Sequence, residues 1–160
     1  MHLFELIQED QIKIDLEATT KWEAIEELID VLVRTHELRI TDRGEVLDAI
    51  LARERSLSTG LEHGLAVPHG TVGCVPDLIG SLGVSRKGIP FESADGQPAR
   101  IIALLVIPKG AYPRHVRTLA GIARLASNKE LRDRVVAAKT PADILDTFYA
   151  LESADGSPPR

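Results

Sequence analysis

Residues 101–107 read Ile-Ile-Ala-Leu-Leu-Val-Ile, and this stretch decides the fold. A short run that is apolar at nearly every position and rich in β-branched residues is typical of a strand covered on both faces, which lies in the middle of a sheet. A second apolar run precedes it at residues 78–85. Between the two, Gly88, Pro90 and Gly96 carry turn chemistry, which indicates a hairpin-like connection. The sequence therefore predicts a mixed sheet.

Helical patterns lie on both sides of these runs. Ile12, Ile14 and Leu16 alternate with polar residues and predict a half-buried strand, before Thr20 and Glu23 form a capping box. The predicted helices cover residues 21–35, 43 to 53 or 55 with Asp42 as its cap, 113–126, 129–138 with Asn128 as its cap, and 141–151. Strands and helices interleave, so we predict an α/β fold of three layers, with a mixed β-sheet and helices on both faces.

The bulk composition indicates one globular domain. With 160 residues, 44% of them hydrophobic, the chain can bury one core, and we assign residues 1–151 to a single domain and residues 152–160 to a disordered tail. The net charge of −5 argues against nucleic-acid binding. A single cysteine, Cys74, excludes an intrachain disulfide, and no apolar stretch is long enough for membrane insertion. We expect a cytoplasmic protein.

The stretch most suggestive of chemistry is residues 53–70, Arg-Glu-Arg-Ser-Leu-Ser-Thr-Gly-Leu-Glu-His-Gly-Leu-Ala-Val-Pro-His-Gly. Pro68 stiffens the backbone before His69 and Gly70 leaves it permissive afterwards, which suits an imidazole at a strand end, although a turn histidine has the same pattern. Arg53, at the end of a predicted helix, can bind phosphate through its planar guanidinium or can simply be solvated. Ser58, Thr59 and Gly60 are candidates for a phosphate-binding loop or for loop caps.

Other kinds of site fit less well. A zinc site from His63, His69 and His115 lacks the helical spacing and the cysteine pairs of known zinc motifs. A serine hydrolase would need Gly-x-Ser-x-Gly, and nucleotide binding would need a glycine fingerprint or a phosphate-binding loop with lysine; the sequence contains none of these. Cys74 has apolar neighbours and is interpreted as structural.

Taken together, Arg53-Glu54-Arg55, Ser58-Thr59-Gly60 and residues 64–70, followed by His115 in a helix rich in Leu and Ala, resemble the enzyme IIA domain of the phosphoenolpyruvate-dependent sugar phosphotransferase system. The subtype is the fructose, mannitol or nitrogen-regulatory one, and the resemblance covers about residues 3–150. It implies that His69 is phosphorylated, that His115 is the second active-site histidine and that Arg53 is the active-site arginine. No metal or cofactor is implied.

The same resemblance implies partners. His69 would accept its phosphoryl group from the carrier HPr and pass it to a cysteine of a IIB domain, or it would control binding to a regulatory target protein. The chain carries no IIB segment, and residues 88–108 look closer to the fructose and nitrogen branch than to mannitol. Because two partners would approach one histidine, we expect a shallow apolar depression with Leu57, Leu61 and Leu65 at its rim. A metal-binding or small-ligand module is the third hypothesis.

Overall fold

The fold is organised around a mixed sheet, as the sequence predicts, and the described residues contribute five strands to it. In the computed structural model, residues 3–154 are described, apart from the side chains of residues 4, 153 and 154. The elements in chain order are α1 (Leu3–Leu6), β1 (Ile12–Lys13), α2 (Lys21–Arg34), α3 (Arg43–Ser56), β2 (Leu65–Ala66), β3 (His69–Val72), β4 (Ile79–Ile89), β5 (Ala99–Pro108), α4 (Tyr112–Ala126), α5 (Lys129–Ala137) and α6 (Pro141–Ala154), with 3₁₀ turns at Glu9–Gln11 and Ile40–Asp42.

Strand β5 is the centre of the sheet. It pairs antiparallel with β4, which confirms the predicted hairpin, and parallel with both β2 and β3 along its other edge. Leu65 lies opposite Ile101, and His69 lies opposite Leu105. The two short strands are therefore successive parts of one edge, interrupted at residues 67–68. On the far side, β1 pairs parallel with β4.

Side chains of β5 alternate between two apolar layers. Ile101, Ala103, Leu105 and Ile107 join a cluster with residues of α1, α4, α5 and α6. Ile102, Leu104 and Val106 join a second cluster built mainly from α2 and α3. Because successive residues of a strand point to opposite faces, one apolar run supplies both cores. The predicted three-layer α/β fold with helices on both faces is confirmed.

Helix boundaries follow the caps with one exception. The Thr20 side chain accepts a hydrogen bond from the Glu23 N–H, and Asn128 accepts one from the Leu131 N–H, as predicted. Asp42 has helical backbone angles and makes no side-chain cap bond, so the predicted cap is wrong there. The chain enters α3 directly from a 3₁₀ turn, which leaves no extended residue in the capping position.

The ends of two other predicted elements also differ. The first strand covers only Ile12–Lys13, although the Leu16 N–H still donates to the Val84 carbonyl of β4 at 3.0 Å. Helix α6 extends to Ala154, beyond the predicted boundary at residue 151. Glu152 is buried and its carboxylate accepts a hydrogen bond from the Leu3 N–H at 2.7 Å, which joins the two ends of the described chain. The remainder of the predicted tail, residues 155–160, lies outside the described residues.

Candidate active site

His69 is the first residue of β3 and is buried, with 7% of its surface exposed. Its Nδ1 lies 2.8 Å from the Val67 carbonyl oxygen. Because a carbonyl oxygen only accepts, Nδ1 carries the proton in this hydrogen bond, and the lone pair of the neutral ring is then on Nε2. Within residues 3–154, Nε2 has no hydrogen-bond partner. The ring is thus fixed by one nitrogen and free at the other.

The interruption between β2 and β3 provides this carbonyl. The Leu105 N–H of β5 donates to Pro68 O at 3.0 Å, and the Val67 N–H donates away from the sheet to Thr59 O at 3.1 Å. The Val67 carbonyl is not used in strand pairing and instead accepts a hydrogen bond from the imidazole. Proline fits at residue 68 because it has no N–H to donate at this edge.

Gly70 brings helix α3 close to His69. A Cβ at residue 70 would lie 3.0 Å from Ile50 Cγ1 and 3.2 Å from the Ala49 carbonyl carbon. Gly70 lies in the extended strand β3, so close approach of the helix, and not the permissive backbone that we expected, accounts for the glycine. This contact, at Ala49 and Ile50, packs α3 against the strand just before the last turn of the helix.

Arg53 lies in that last turn. Its Nη1 donates to the Leu57 carbonyl at 2.7 Å, which holds the half-buried side chain against the helix end. The pKa of His69 is lowered from its ordinary value by burial first and also by the charge of Arg53, while the Val67 hydrogen bond and Glu54 act in the opposite direction. The imidazole is therefore neutral at pH 7, as a nucleophile must be.

His115 approaches the site from α4. Tyr112 stacks on His69, with ring centroids 6.2 Å apart and the ring planes at 24°. His115 is three residues further along the same helix and so lies on the same side as Tyr112. It is buried, its Nε2 has no hydrogen-bond partner in the described part of the chain, and burial followed by the charge of Arg114 lowers its pKa. The structure thus places Arg53 close enough to His69 for its charge to lower the pKa of the imidazole, and it places His115 on the helix face whose Tyr112 contacts His69.

The hydroxyls of the residue 58–60 loop are used inside the protein. Ser58 donates to the Phe91 carbonyl, and Thr59 donates to Glu54 Oε2 at 2.6 Å. Gly60 packs closely, because a Cβ there would lie 2.8 Å from Ser93 Cα. Both hydroxyl protons of the loop are therefore used in hydrogen bonds within the protein.

Two buried charged residues that were not predicted from the sequence, Glu54 and Lys21, lie directly behind this loop. Glu54 is 2% exposed and accepts hydrogen bonds from the Thr59 N–H at 3.1 Å and from Lys21 Nζ at 3.3 Å. Lys21 is also buried. A signal was present, because Glu54 continues the i, i+4 stripe of Val46 and Ile50 on the buried side of α3. A charged residue in an apolar stripe indicates a buried partner of opposite charge.

The apolar rim differs in part from the prediction. Leu57 is 69% exposed, as expected, but Leu61 is partly buried and Leu65 belongs to the core because β2 is covered by α-helices. Tyr112 and Val116 of α4 are the exposed apolar side chains on the histidine side.

Within residues 3–154, the side chains that lie close enough to bind a metal ion together are not those of the predicted zinc site. The group whose ligand atoms lie within 4.8 Å of one another consists of Asp42, Glu45 and Cys74 and contains no histidine. The His63 N–H donates to Asp95 on a separate loop, away from this group. Burial, followed by the nearby Glu45, raises the pKa of the Cys74 thiol, which agrees with a structural cysteine.

Fold and site together define a small α/β domain with one fixed histidine, a second histidine and an arginine. The sequence profile of the phosphoenolpyruvate-dependent sugar phosphotransferase system, EIIA 2, matches residues 5–150. The chain belongs to this family, which confirms the resemblance seen in the sequence.

Relatives come from both branches. The chain is 32% identical to the fructose-specific EIIABC component of Bacillus subtilis over 91% of its length, and spans only 23% of that longer protein. It is 33% identical to the nitrogen regulatory protein of Bradyrhizobium diazoefficiens, over 89% of this chain and 88% of the relative. The structure of nitrogen regulatory protein IIA-Ntr from Neisseria meningitidis superposes with a TM-score of 0.82 at 27% identity, covering 91% of this chain and 98% of that one. Among the described helices, none has both the length and the apolar character needed to cross a membrane.

Proposed function

We propose that this chain is a phosphoryl carrier in which His69 accepts a phosphoryl group from phospho-HPr. The observation that carries the proposal is the hydrogen bond from His69 Nδ1 to the Val67 carbonyl at 2.8 Å, which leaves Nε2 as an unprotonated and unbonded nucleophile. Burial lowers the pKa of the ring and keeps it neutral at physiological pH. A cytoplasmic location fits this donor.

The transfer balances without a metal or a nucleotide. The Nε2 lone pair attacks phosphorus, an N–P bond forms on His69, and the N–P bond to the HPr histidine breaks with its electron pair remaining on the HPr ring. The proton stays on Nδ1, which donates to the Val67 carbonyl throughout the transfer. This hydrogen bond helps the ring to carry the positive charge that develops. Phosphoryl transfer needs mainly positioning and electrostatic stabilisation, which suits a site made of imidazole and guanidinium groups.

Arg53 and His115 are proposed to stabilise the transferring group. Charge spreads over the equatorial oxygens of phosphorus, and a planar guanidinium matches those oxygens while keeping its own charge. His115 is neutral for the same reason as His69, so it can donate one N–H to a phosphoryl oxygen. The loop of Ser58, Thr59 and Gly60 is proposed to connect these parts, because its hydroxyls already donate within the protein.

The next acceptor separates two versions of the proposal. In the first, the thiolate of a IIB cysteine attacks the phosphoryl group, an S–P bond forms, and the N–P electron pair returns to His69 Nε2. A structure of enzyme IIAMTL from Escherichia coli in complex with phosphorylated IIBMTL shares this fold at a TM-score of 0.75. In the second, favoured by the nitrogen regulatory relatives, the phosphorylation state of His69 controls binding to a target protein.

The test is incubation with phosphoenolpyruvate, enzyme I and HPr, followed by intact-mass analysis before and after mild acid. The wild type should gain one acid-labile phosphate and His69→Ala should gain none. An equal gain in the alanine variant, or no gain in the wild type, would refute the proposal. A metal-binding module would instead take up stoichiometric metal and no phosphate.

A second reaction separates the two branches. Purified phosphorylated protein is mixed with the IIB proteins of the same organism, and phosphate on the IIB cysteine is followed over time. Rapid transfer to one IIB protein supports the sugar branch. Failure with all of them, together with a binding partner whose affinity depends on phosphorylation, supports the regulatory branch.

A further inference from the structure

A continuous hydrogen-bond chain runs from the interior of the molecule to His69. Lys21 Nζ lies 3.3 Å from Glu54, and the Glu54 carboxylate accepts both the hydroxyl and the N–H of Thr59. The Thr59 carbonyl accepts the Val67 N–H at 3.1 Å, and the Val67 carbonyl accepts His69 Nδ1 at 2.8 Å. At both Thr59 and Val67, the N–H and the carbonyl of the residue are each hydrogen-bonded.

The first half of the chain is buried and charged. Lys21 is 6% exposed, Glu54 2% and Thr59 5%. A buried carboxylate is tolerated when several donors satisfy it, and Glu54 has an ammonium, a hydroxyl and a backbone N–H.

We propose that Glu54 and Thr59 are positioning residues for His69, and that the chain from Lys21 to Val67 selects the imidazole tautomer with its proton on Nδ1. This inference rests on the proposed function for its consequence, since only that tautomer presents a free Nε2 to phosphorus. Its structural content, the control of the tautomer, does not depend on any partner.

The tautomer depends on residue 67, whose N–H donates to Thr59 and whose carbonyl accepts from His69. The two bonds lie on the two peptide units that flank the Val67 Cα, so together they restrict its backbone rotation. When the Thr59 anchor is loosened, the Val67 carbonyl can turn away from the ring. The imidazole then exchanges its proton between the two nitrogens, and molecules with the proton on Nε2 cannot attack through that nitrogen.

The direct test combines spectroscopy with kinetics on the full chain. Long-range ¹H–¹⁵N correlation of the imidazole, recorded at pH 8, reports which nitrogen of His69 is protonated. The wild type should show Nδ1 protonated and Nε2 bare. Thr59→Val should show averaged nitrogen shifts, and Thr59→Ser, which keeps the hydroxyl, should restore the wild-type pattern.

The rate of single-turnover transfer from phospho-HPr should change in the same variants as the imidazole nitrogen shifts. A misplaced reacting group can cost up to roughly 100-fold in rate, so we expect Thr59→Val to be slower by roughly tenfold to 100-fold and Thr59→Ser to recover most of the rate. Thr147→Val is the matched control, because Thr147 is buried and donates its hydroxyl at 2.8 Å to Asp143 O in α6. It should lose stability without changing either the tautomer or the rate.

Unchanged imidazole shifts and an unchanged rate in Thr59→Val would overturn the inference. If that variant does not fold, Lys21→Met combined with Glu54→Leu removes both buried charges and the acceptor of the Thr59 bonds, and wild-type shifts in the folded double variant would overturn it equally. A wild type that shows the predicted tautomer but takes no phosphate from phospho-HPr would refute the proposed function and leave the positioning role intact.

Discussion

His69 opens a strand and His115 lies in the first turn of a helix, and the two regions hold their imidazoles in different ways. His69 is bound through Nδ1 to a carbonyl that is itself anchored by the residue 58–60 loop. Nε2 has no hydrogen-bond partner within residues 3–154 in either ring, so the difference lies in the Nδ1 bond of His69. The fixed ring of His69 suits a nucleophile, whose lone pair must point at phosphorus. The ring of His115 suits a hydrogen-bond donor that adapts to a phosphoryl group.

The comparison extends to the surroundings. The strand region is backed by α3, where Gly70 allows close contact with the helix backbone and Arg53 is held by the Leu57 carbonyl. The helix region presents exposed Tyr112 and Val116 beside His115. We therefore assign the chemistry to the strand side and much of the partner contact to the helix side.

The largest expected effect comes from removing the charge on the strand side. Arg53→Gln should slow phosphoryl transfer from phospho-HPr on the order of 100-fold, because the guanidinium stabilises charge that develops on the transferring group. The control is Arg55→Gln, the same change on the same helix at an exposed position near Trp22, and it should stay near the wild-type rate. Quench-flow kinetics would measure both. Equal transfer rates in the two variants would show that Arg53 has no special role at the site.

A smaller effect is expected on the helix side. His115→Ala should still become phosphorylated on His69, with transfer slower by roughly tenfold since one N–H donor is lost. Rapid-mixing mass spectrometry of both forward and reverse transfer would measure this, with His36→Ala, at an exposed histidine, as the control. Complete loss of phosphorylation in the His115 variant, with His69 intact, would reverse the two assignments.

The pH dependence distinguishes the two regions more finely. Because burial and Arg53 lower the pKa of His69, its NMR titration midpoint should lie below the ordinary 6.5, and the transfer rate should fall as pH drops through that midpoint. Arg53→Gln removes a positive charge and should raise the pKa of His69 while leaving that of His115, which depends on burial and Arg114, nearly unchanged. A pKa of His69 above 6.5 in the wild type would contradict this electrostatic account.

The smallest effect concerns stability and the loop behind His69. Gly60→Ala places a Cβ within 2.8 Å of Ser93 Cα and should destabilise the fold by about 1–3 kcal/mol. The control is Gly44→Ala in α3, where nothing lies within 4 Å and alanine should stabilise by up to about 1 kcal/mol. Urea unfolding gives both free energies. The Gly60 variant should also perturb the NMR signals of His69 more than those of His115. A larger change in the His115 signals would show that the loop is not coupled to the strand side.

The fold was readable from the sequence where periodicity was strong. The apolar run at residues 101–107 predicts the central strand, and its alternation supplies both cores. The Thr20 and Asn128 caps follow directly from their side chains. The Asp42 cap failed because a preceding 3₁₀ turn replaces the extended residue that such a cap requires.

The site was readable only in part. Arg53, His69 and His115 stand out by residue type and by resemblance, and the structure adds the charge of Arg53 acting on His69 and the contact of Tyr112, one turn before His115, with His69. The Val67 carbonyl could not be found, because it becomes available only through the interruption between β2 and β3. Glu54 continues the buried stripe of α3 and could have been singled out, but its partners Lys21 and Thr59 could not, because they come from a distant helix and from the following loop.

The central claim is that His69 reacts through Nε2 while Nδ1 stays bonded to Val67. The most direct measurement is NMR of the phosphorylated protein, in which ¹⁵N shifts and ³¹P coupling identify the phosphorylated ring nitrogen. We predict a single phosphohistidine, on Nε2 of His69, with Nδ1 still protonated. Phosphate on Nδ1 of His69, or on either nitrogen of His115, would contradict the account.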